Sequence, residues 1–200
     1  MKITLAVCTN RQIRPKTVQS LLELVNHNKD HELHILICEH GYTIAENRNY
    51  AAVQAQMAKS DYLFFCDDDM TFPPDTLDRL LSHKKEIVGV ASNSRMLPLA
   101  PTVGLMDEEG KYVKWDTLPK WKQKLPEQLF EAYTVGTGIM LIDMKVFDEI
   151  DQPWFHFKVM KNGRIHTGED AFFCGQAKAK GYKIWCDPTI KVGHLGEYEF

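Results

Sequence analysis

Three apolar runs in the first part of the chain each end in a cysteine followed at once by polar side chains, and helix-forming segments separate them. Residues 3–8 run out into Cys8-Thr9-Asn10-Arg11, residues 33–38 into Cys38-Glu39-His40, and residues 62–66 into Cys66-Asp67-Asp68-Asp69. After the first run Pro15 stands where a helix can begin, and Val18, Leu21, Leu22 and Val25 follow at helical spacing. After the second, residues 46–57 carry Ala, Val, Gln and Met without Gly or Pro, which predicts a helix with Tyr50, Val53 and Met57 on one face. After the third, Pro73-Pro74-Asp75 opens a helix that buries Leu77, Leu80 and Leu81, and residues 87–90 form a fourth strand. Strands alternating with helices predict a mostly parallel, Rossmann-like sheet flanked by helices. In such a sheet ligands bind beyond the carboxyl ends of the strands, so the three polar tails converge on one site. For Thr9 or His40 alone, the polar group could equally mark only the point where a strand leaves the core.

The second half is less regular. Residues 93–129 hold Pro98, Pro101, Pro119 and Pro126 and a Trp- and Lys-rich stretch at 111–124, an excursion with room for a hairpin. Val135-Gly136-Thr137-Gly138 leads into Ile139-Met140-Leu141-Ile142, a glycine-kinked approach to another buried strand. Residues 147–150 predict a short helical turn, 168–180 a helix closed by Gly181, and 183–186 a last buried strand. The 200 residues are expected to make one domain, with a regular strand-and-helix half at 1–92 and a less regular half at 93–200.

Composition narrows the class. With 24 Lys plus Arg against 27 Asp plus Glu, the formal charge of -3 lacks the basic excess of a protein that lives on nucleic-acid phosphates. No apolar run reaches the roughly 20 residues of a membrane span, and no signal-peptide pattern opens the chain, so a cytoplasmic location is expected. Five cysteines without a C-x-x-C pattern suggest neither a disulfide framework nor a zinc site.

Asp67, Asp68 and Asp69 carry the chemistry. Strand alternation predicts Asp67 and Asp69 on one side and Asp68 opposite. Two like charges about 4 Å apart repel by roughly 1 kcal/mol in water, and by about 4 kcal/mol at an effective dielectric of about 20. A divalent cation is the usual compensation, and carboxylate oxygens suit Mg²⁺ or Mn²⁺ with positions left open for a substrate diphosphate. The bland alternative is an acidic loop in which Asp69 or Asp75 caps the next helix.

These features together resemble the GT-A glycosyltransferases, and among them the small family-2-like nucleotide-sugar transferases. The resemblance spans nearly the whole chain: Thr9-Asn10-Arg11 after the first strand, Ala45-Glu46-Asn47-Arg48-Asn49, Asp67-x-Asp69 with Met70-Thr71-Phe72-Pro73-Pro74-Asp75, Val135-Gly136-Thr137-Gly138, Gly168-Glu169-Asp170, and Val192-Gly193-His194. It implies a nucleoside-diphosphate sugar as donor and Mn²⁺, or Mg²⁺, as cofactor. Asp69 then ligates the metal, Asp67 contacts the metal or the donor ribose, and His194 completes the metal shell, tilting selection toward Mn²⁺. Thr9, Arg11, Glu39 and Asp68 belong to the nucleotide-binding edge. Arg48 either presents a basic group to the donor or pairs with Glu46 or solvent.

The same resemblance makes Asp170 the base that takes the proton of the acceptor hydroxyl in an inverting reaction, with Glu169 as the fallback. A retaining enzyme needs no such base, and Thr167-x-x-Asp170 is also a capping arrangement. Trp154, Phe155, His156 and Phe157 form either an acceptor platform or buried core. The chain stops at Phe200, soon after His194, so the acceptor site is expected to be open or completed by another subunit of a homo-oligomer.

Two rival classes remain. Asp67-x-Asp69-x-Thr71 also fits the opening motif of haloacid-dehalogenase-type phosphatases with Asp67 as nucleophile, although that motif ordinarily follows a domain's first strand. The other rival is a non-catalytic nucleotide-sugar-binding protein on the same fold. Pyrophosphorylases of sugar nucleotides are disfavoured because Thr9-Asn10-Arg11-Gln12-Ile13-Arg14 is not Gly-rich.

Overall fold

The computed structural model describes residues 1–9, 12–39, 41–95, 100–113, 115, 118 and 123–196. Strand β1 (Lys2–Cys8) is buried on both faces from Ile3 to Cys8, as the centre of a covered sheet must be. Helix α1 (Pro15–His27) begins on Pro15, whose fixed φ suits the first helical position. It returns the chain to β2 (Glu32–Cys38), which lies parallel to β1.

Helix α2 (Ile44–Met57) starts at a capping box in which the Thr43 hydroxyl accepts from the Glu46 N–H and the Glu46 carboxylate accepts from the Thr43 N–H. Its inward face differs from the expected one. Ala45, Ala51, Ala52 and Ala55 are buried, whereas Val53 and Met57 are exposed. Alanine lets the helix backbone lie close against the sheet, so the small side chains, not the bulky ones, mark the packed face.

Strand β3 (Tyr62–Asp67) pairs parallel with the other side of β1, and the chain then turns through Asp68 and Asp69 into the short β4 (Met70–Thr71). Helix α3 (Thr76–Ser82) and β5 (Ile87–Val90) follow. The excursion after β5 contains the expected hairpin, β6 (Val103–Met106) with β7 (Tyr112–Val113), while half of the Trp- and Lys-rich stretch lies outside the described residues. Then come β8 (Phe130–Ala132), β9 (Thr134–Val135), β10 (Ile139–Asp143), α4 (Lys145–Glu149), the hairpin β11 (Lys158–Val159) with β12 (Ile165–Thr167), α5 (Glu169–Ala179), β13 (Ile184–Asp187) and β14 (Gly193–His194).

The main sheet has the order β2-β1-β3-β10-β5-β13-β8. Five of its seven strands share one direction, but β10 is antiparallel to both neighbours and β8 is antiparallel to β13, so the sheet is mixed. Apolar periodicity revealed β10 as a buried strand without revealing that it slots, reversed, between β3 and β5. One apolar layer joins the sheet to α2, α4 and α5, the other joins it to α1 and α3. Trp154 and Phe155 belong to the first layer, with Phe155 stacked on Phe173 at 4.8 Å between ring centres, so neither is an exposed platform. All five cysteines are free and buried. No helix among the described residues is long and apolar enough to cross a membrane.

Candidate active site

The chain moves outward from β1 to β2 on one side and then returns to add β3 on the other, which puts a switch point between β1 and β3. A crevice opens at the carboxyl ends of strands where their order reverses in this way. Cys8 pairs with Asp67 across that point, and beyond it lies a cavity of about 620 Å³. Asp67, Asp68 and Asp69 all line it, because the turn at Asp68 and Asp69 ends the strand alternation that would have pointed Asp68 away. Cys8 also reaches the wall; its hydrogen bond with Cys38 and its burial raise the thiol pKa, which favours the neutral thiol.

Beneath the carboxylates lies Arg48, with its side chain only 4% exposed. It donates to Asp67 Oδ1 at 2.9 Å and to Glu169 Oε1 at 2.6 Å. Burial works against its charge, but Asp67 and Glu169 outweigh that cost and raise its pKa. Glu46 is committed to its cap, and Arg48 is a counter-charge for acids on two other elements. Beside it, buried Asn47 donates to the Thr9 carbonyl at 3.0 Å and accepts from the Gly41 N–H at 2.7 Å. Asn49 exchanges two hydrogen bonds with the Phe155 backbone. Three successive side chains of α2 thus hold the ends of β1 and β3, the loop at Gly41, the start of α5 and the Phe155 segment.

The Thr9 hydroxyl donates to Asp68 at 2.5 Å. Burial raises the Asp68 pKa, opposed by that hydrogen bond and reinforced by Asp69 and Asp67. For Asp69 burial also pushes upward, yet His194 and Arg95 together hold its carboxyl below the usual value. Arg95 reaches Asp69 Oδ2 at 2.7 Å, and His194 Nε2 lies 3.3 Å from Asp69 Oδ1. His194 arrives there because β14 pairs antiparallel with β4, setting His194 opposite Met70, and because the Leu195 N–H donates to the Asp69 carbonyl at 2.8 Å.

The His194 ring is oriented. Its Nδ1 lies 2.8 Å from the Asn93 carbonyl oxygen, which can only accept, so Nδ1 bears a proton. In the neutral imidazole Nε2 is then a lone pair facing a carboxylate oxygen, an arrangement that needs a proton or a cation between the two. A metal ion fits that demand, and the carbonyl behind the ring is the usual outer support of a ligating histidine. Among the described residues no three His, Cys, Asp or Glu side chains form a metal-holding group by themselves. Asp67 Oδ1 and Asp69 Oδ2 are occupied by Arg48 and Arg95, which leaves Asp69 Oδ1 and His194 Nε2 as the converging donors.

At the first turn of α5, Glu169 lines the cavity and Asp170 does not. The Asp170 carboxylate accepts from the Ala171 N–H at 2.7 Å, and burial, then Glu169, raises its pKa. No side-chain cap comes from the residue before the helix, which is Gly168. A Cβ there would lie 3.0 Å from Asp170 Oδ1, so glycine keeps that carboxylate where it is.

The structure therefore brings Thr9, Arg48, Asp67, Asp68, Asp69, Glu169 and His194 together. Glu39 is exposed at the end of β2 and outside the cavity lining, and Arg11 and His40 lie outside the described residues. Sequence reasoning missed Arg95, Gln12 and Arg14, which also line the cavity. The run Asn47-Arg48-Asn49, polar on an alanine-rich helix, was the available signal for the scaffold.

The sequence profile described as Glycosyl transferase family 2 matches residues 3–151, from β1 to just past α4. No curated protein matches the chain in sequence. Among solved structures, A197 from STIV superimposes with a TM-score of 0.66 at 17% identity, covering 98% of this chain and 87% of that one. GalNAc-T7, solved with UDP, GalNAc and Mn²⁺, superimposes with a TM-score of 0.56 at 14% identity over 99% of this chain. The match spans only 44% of that protein's length. At these identities the two likenesses speak for a shared GT-A fold.

Proposed function

The chain belongs to glycosyl transferase family 2, and from that footing we propose that it moves a sugar from a nucleoside-diphosphate sugar to an acceptor hydroxyl, with a divalent metal and with inversion at the anomeric carbon. The observation that carries this proposal is the meeting of Asp67, Asp68, Asp69, Glu169 and His194 in one cavity at the β1/β3 switch point. Four carboxylates would repel a diphosphate, and Arg48 is already spent on two of them. Asp69 and His194 are the residues that would hold Mn²⁺ or Mg²⁺, with Asp67 beside them. The ion would neutralise the diphosphate and stabilise it as a leaving group. The presence of UDP and Mn²⁺ in the GalNAc-T7 structure is consistent with that chemistry.

In this proposal residues 1–92 receive the nucleotide, with Thr9 and Asp68 at its edge, and residues 93–200 supply His194 and the acceptor side. Asp170 takes the acceptor proton. Its raised pKa makes it a better proton acceptor than an ordinary surface aspartate, and Glu169 is tied to Arg48 at 2.6 Å. The five buried thiols suit a reducing compartment, the cytoplasm. Use of Asp67 as a phosphatase nucleophile is unsupported, because it ends the third strand of the sheet and one of its oxygens is held by buried Arg48.

Titration calorimetry of UDP and GDP, with Mn²⁺ and with a chelator, tests the metal and the nucleotide together. Binding only with Mn²⁺ is expected. Equal affinity in both conditions removes the metal from the proposal, and no binding of either nucleotide removes the donor.

A further inference from the structure

A second cavity, of about 770 Å³, lies along the outer side of α5. Its floor is the row Gly168, Ala171, Gly175 and Ala179, all small, which leaves the helix backbone open to an approaching molecule. The β11–β12 hairpin forms one wall with Lys158 and His166, and Tyr112 and Tyr133 form another. Those two rings lie 5.3 Å apart at their centres, and Tyr112 is 52% exposed. Phe172 rises from the floor with its ring 5.2 Å from Lys158 Nζ.

Gly175 is the telling residue. Glycine is among the least favourable residues in a helix interior, and one there usually has a reason in backbone conformation or close packing. At Gly104 the reason is visible, since an added Cβ would meet Thr134 and Tyr112. At Gly175 the backbone is helical and an added Cβ would meet no atom of the described residues within 4 Å. Packing among the described residues does not require glycine at this position. A ligand lying against the helix would.

Both cavities border the first turn of α5. Gly168 and Ala171 face the second cavity while Glu169, between them, faces the first. We infer that the trough along α5 holds the non-reacting part of a saccharide acceptor, delivering its hydroxyl past Gly168 to the Glu169 and Asp170 turn. This rests on the glycosyltransferase proposal above. The chemistry of the lining favours a sugar: ring faces suit the C–H face of a pyranose, and Thr134, Thr167 and Gln176 offer hydroxyl and amide partners to its hydroxyls. Lys158 supplies positive charge and the lining has no carboxylate among the described residues, so neutral and acidic sugars fit and a basic peptide does not.

The test titrates the full chain, loaded with UDP and Mn²⁺, with cellohexaose, maltohexaose, chitohexaose and hexagalacturonate, following aromatic ring signals by NMR. At least one hexamer is expected to shift the Tyr112, Tyr133 and Phe172 signals. Gly175→Leu, which fills the trough, should weaken that hexamer by about tenfold or more while leaving UDP affinity unchanged. Ala179→Leu, at the exposed end of the helix, fills the same trough and serves if Gly175→Leu folds poorly. Binding by none of the four hexamers, or equal binding by wild type and both variants, overturns the inference. If neither UDP nor GDP binds the wild type, the glycosyltransferase proposal falls, and the same hexamer titration without nucleotide still decides whether the trough takes a saccharide.

Discussion

Arg48 on α2 and Glu169 on α5 lie 121 residues apart in sequence and meet as a buried ion pair at 2.6 Å, with the same guanidinium holding Asp67 at 2.9 Å. The strand that ends in the aspartate run and the helix that opens with Glu169-Asp170 are thereby tied to one cation. Removing one partner of a buried pair leaves the other charge without compensation in a poorly solvated place.

Arg48→Met is therefore expected to destabilise the protein by about 3 to 5 kcal/mol, since two carboxylates lose their counter-charge at once. Arg48→Lys should recover only part of this, because an ammonium on a flexible stem cannot present two fixed donors to Asp67 and Glu169 together. Urea unfolding of both variants gives the values. A loss for Arg48→Met no larger than that of an exposed ion pair, under about 1 kcal/mol, would mean that the carboxylates find other partners.

His194→Ala should lower Mn²⁺-dependent affinity for UDP or GDP by roughly 10 to 100-fold, the usual effect of damage to a metal site. The fold should hold, because β14 is fixed by backbone pairing with β4 and by the Leu195 N–H to Asp69 carbonyl bond, neither of which involves the imidazole. Unchanged nucleotide affinity in the variant would make His194 a structural partner of Asp69.

The sequence made part of this site legible and hid the rest for definable reasons. Asp67 to Asp69 could be recognised because three adjacent acids after a buried strand demand compensation whatever the fold. His194 could be reached only through the family resemblance, since nothing in its spacing shows that β14 will pair with β4. The buried ion pair of Arg48 and Glu169 was out of reach because α2 and α5 meet through the main sheet, and a single sequence carries no record of which helices become neighbours. The α2 face was misread for another reason: hydrophobic size marked Val53 and Met57 as inward, while close approach to the sheet selected the alanines.

Asp187, at the end of β13, should make stability fall in acid. Burial pushes its carboxyl upward, but hydrogen bonds with Thr189 and His83 outweigh that and hold its pKa below the ordinary aspartate value. A carboxyl with a lowered folded pKa contributes stability that is fully present above its unfolded value, about 3.9, and is lost as pH falls through the folded one. Asp187→Asn should then be less stable than wild type by about 1.5 to 3 kcal/mol near neutral pH, with the gap narrowing below about pH 4. Denaturant unfolding of both proteins from neutral pH into acid measures the gap. A gap that stays constant through that range would show that the ionised carboxylate is not what stabilises the turn at Thr189.

Asp170 and Glu169 can be separated by kinetics, because the structure gives them different tasks. Glu169 faces the first cavity and holds Arg48, so Glu169→Gln should disturb stability and nucleotide binding along with turnover. Asp170 touches neither Arg48 nor Asp67 by hydrogen bond; its carboxylate accepts from the Ala171 N–H at 2.7 Å, and an amide oxygen can accept the same bond. Asp170→Asn should accordingly keep the fold and the metal-dependent nucleotide affinity while lowering the transfer rate by about 10² to 10⁴-fold, the usual contribution of a general base. Hydrolysis of the donor by water should fall less, since water needs less exact positioning than a bound acceptor. Sugar transfer by Asp170→Asn at the parent rate, with transfer abolished in Glu169→Gln, would move the base to Glu169. Parent rates in both variants would leave the reaction without an enzymatic base on this turn and favour retention at the anomeric carbon.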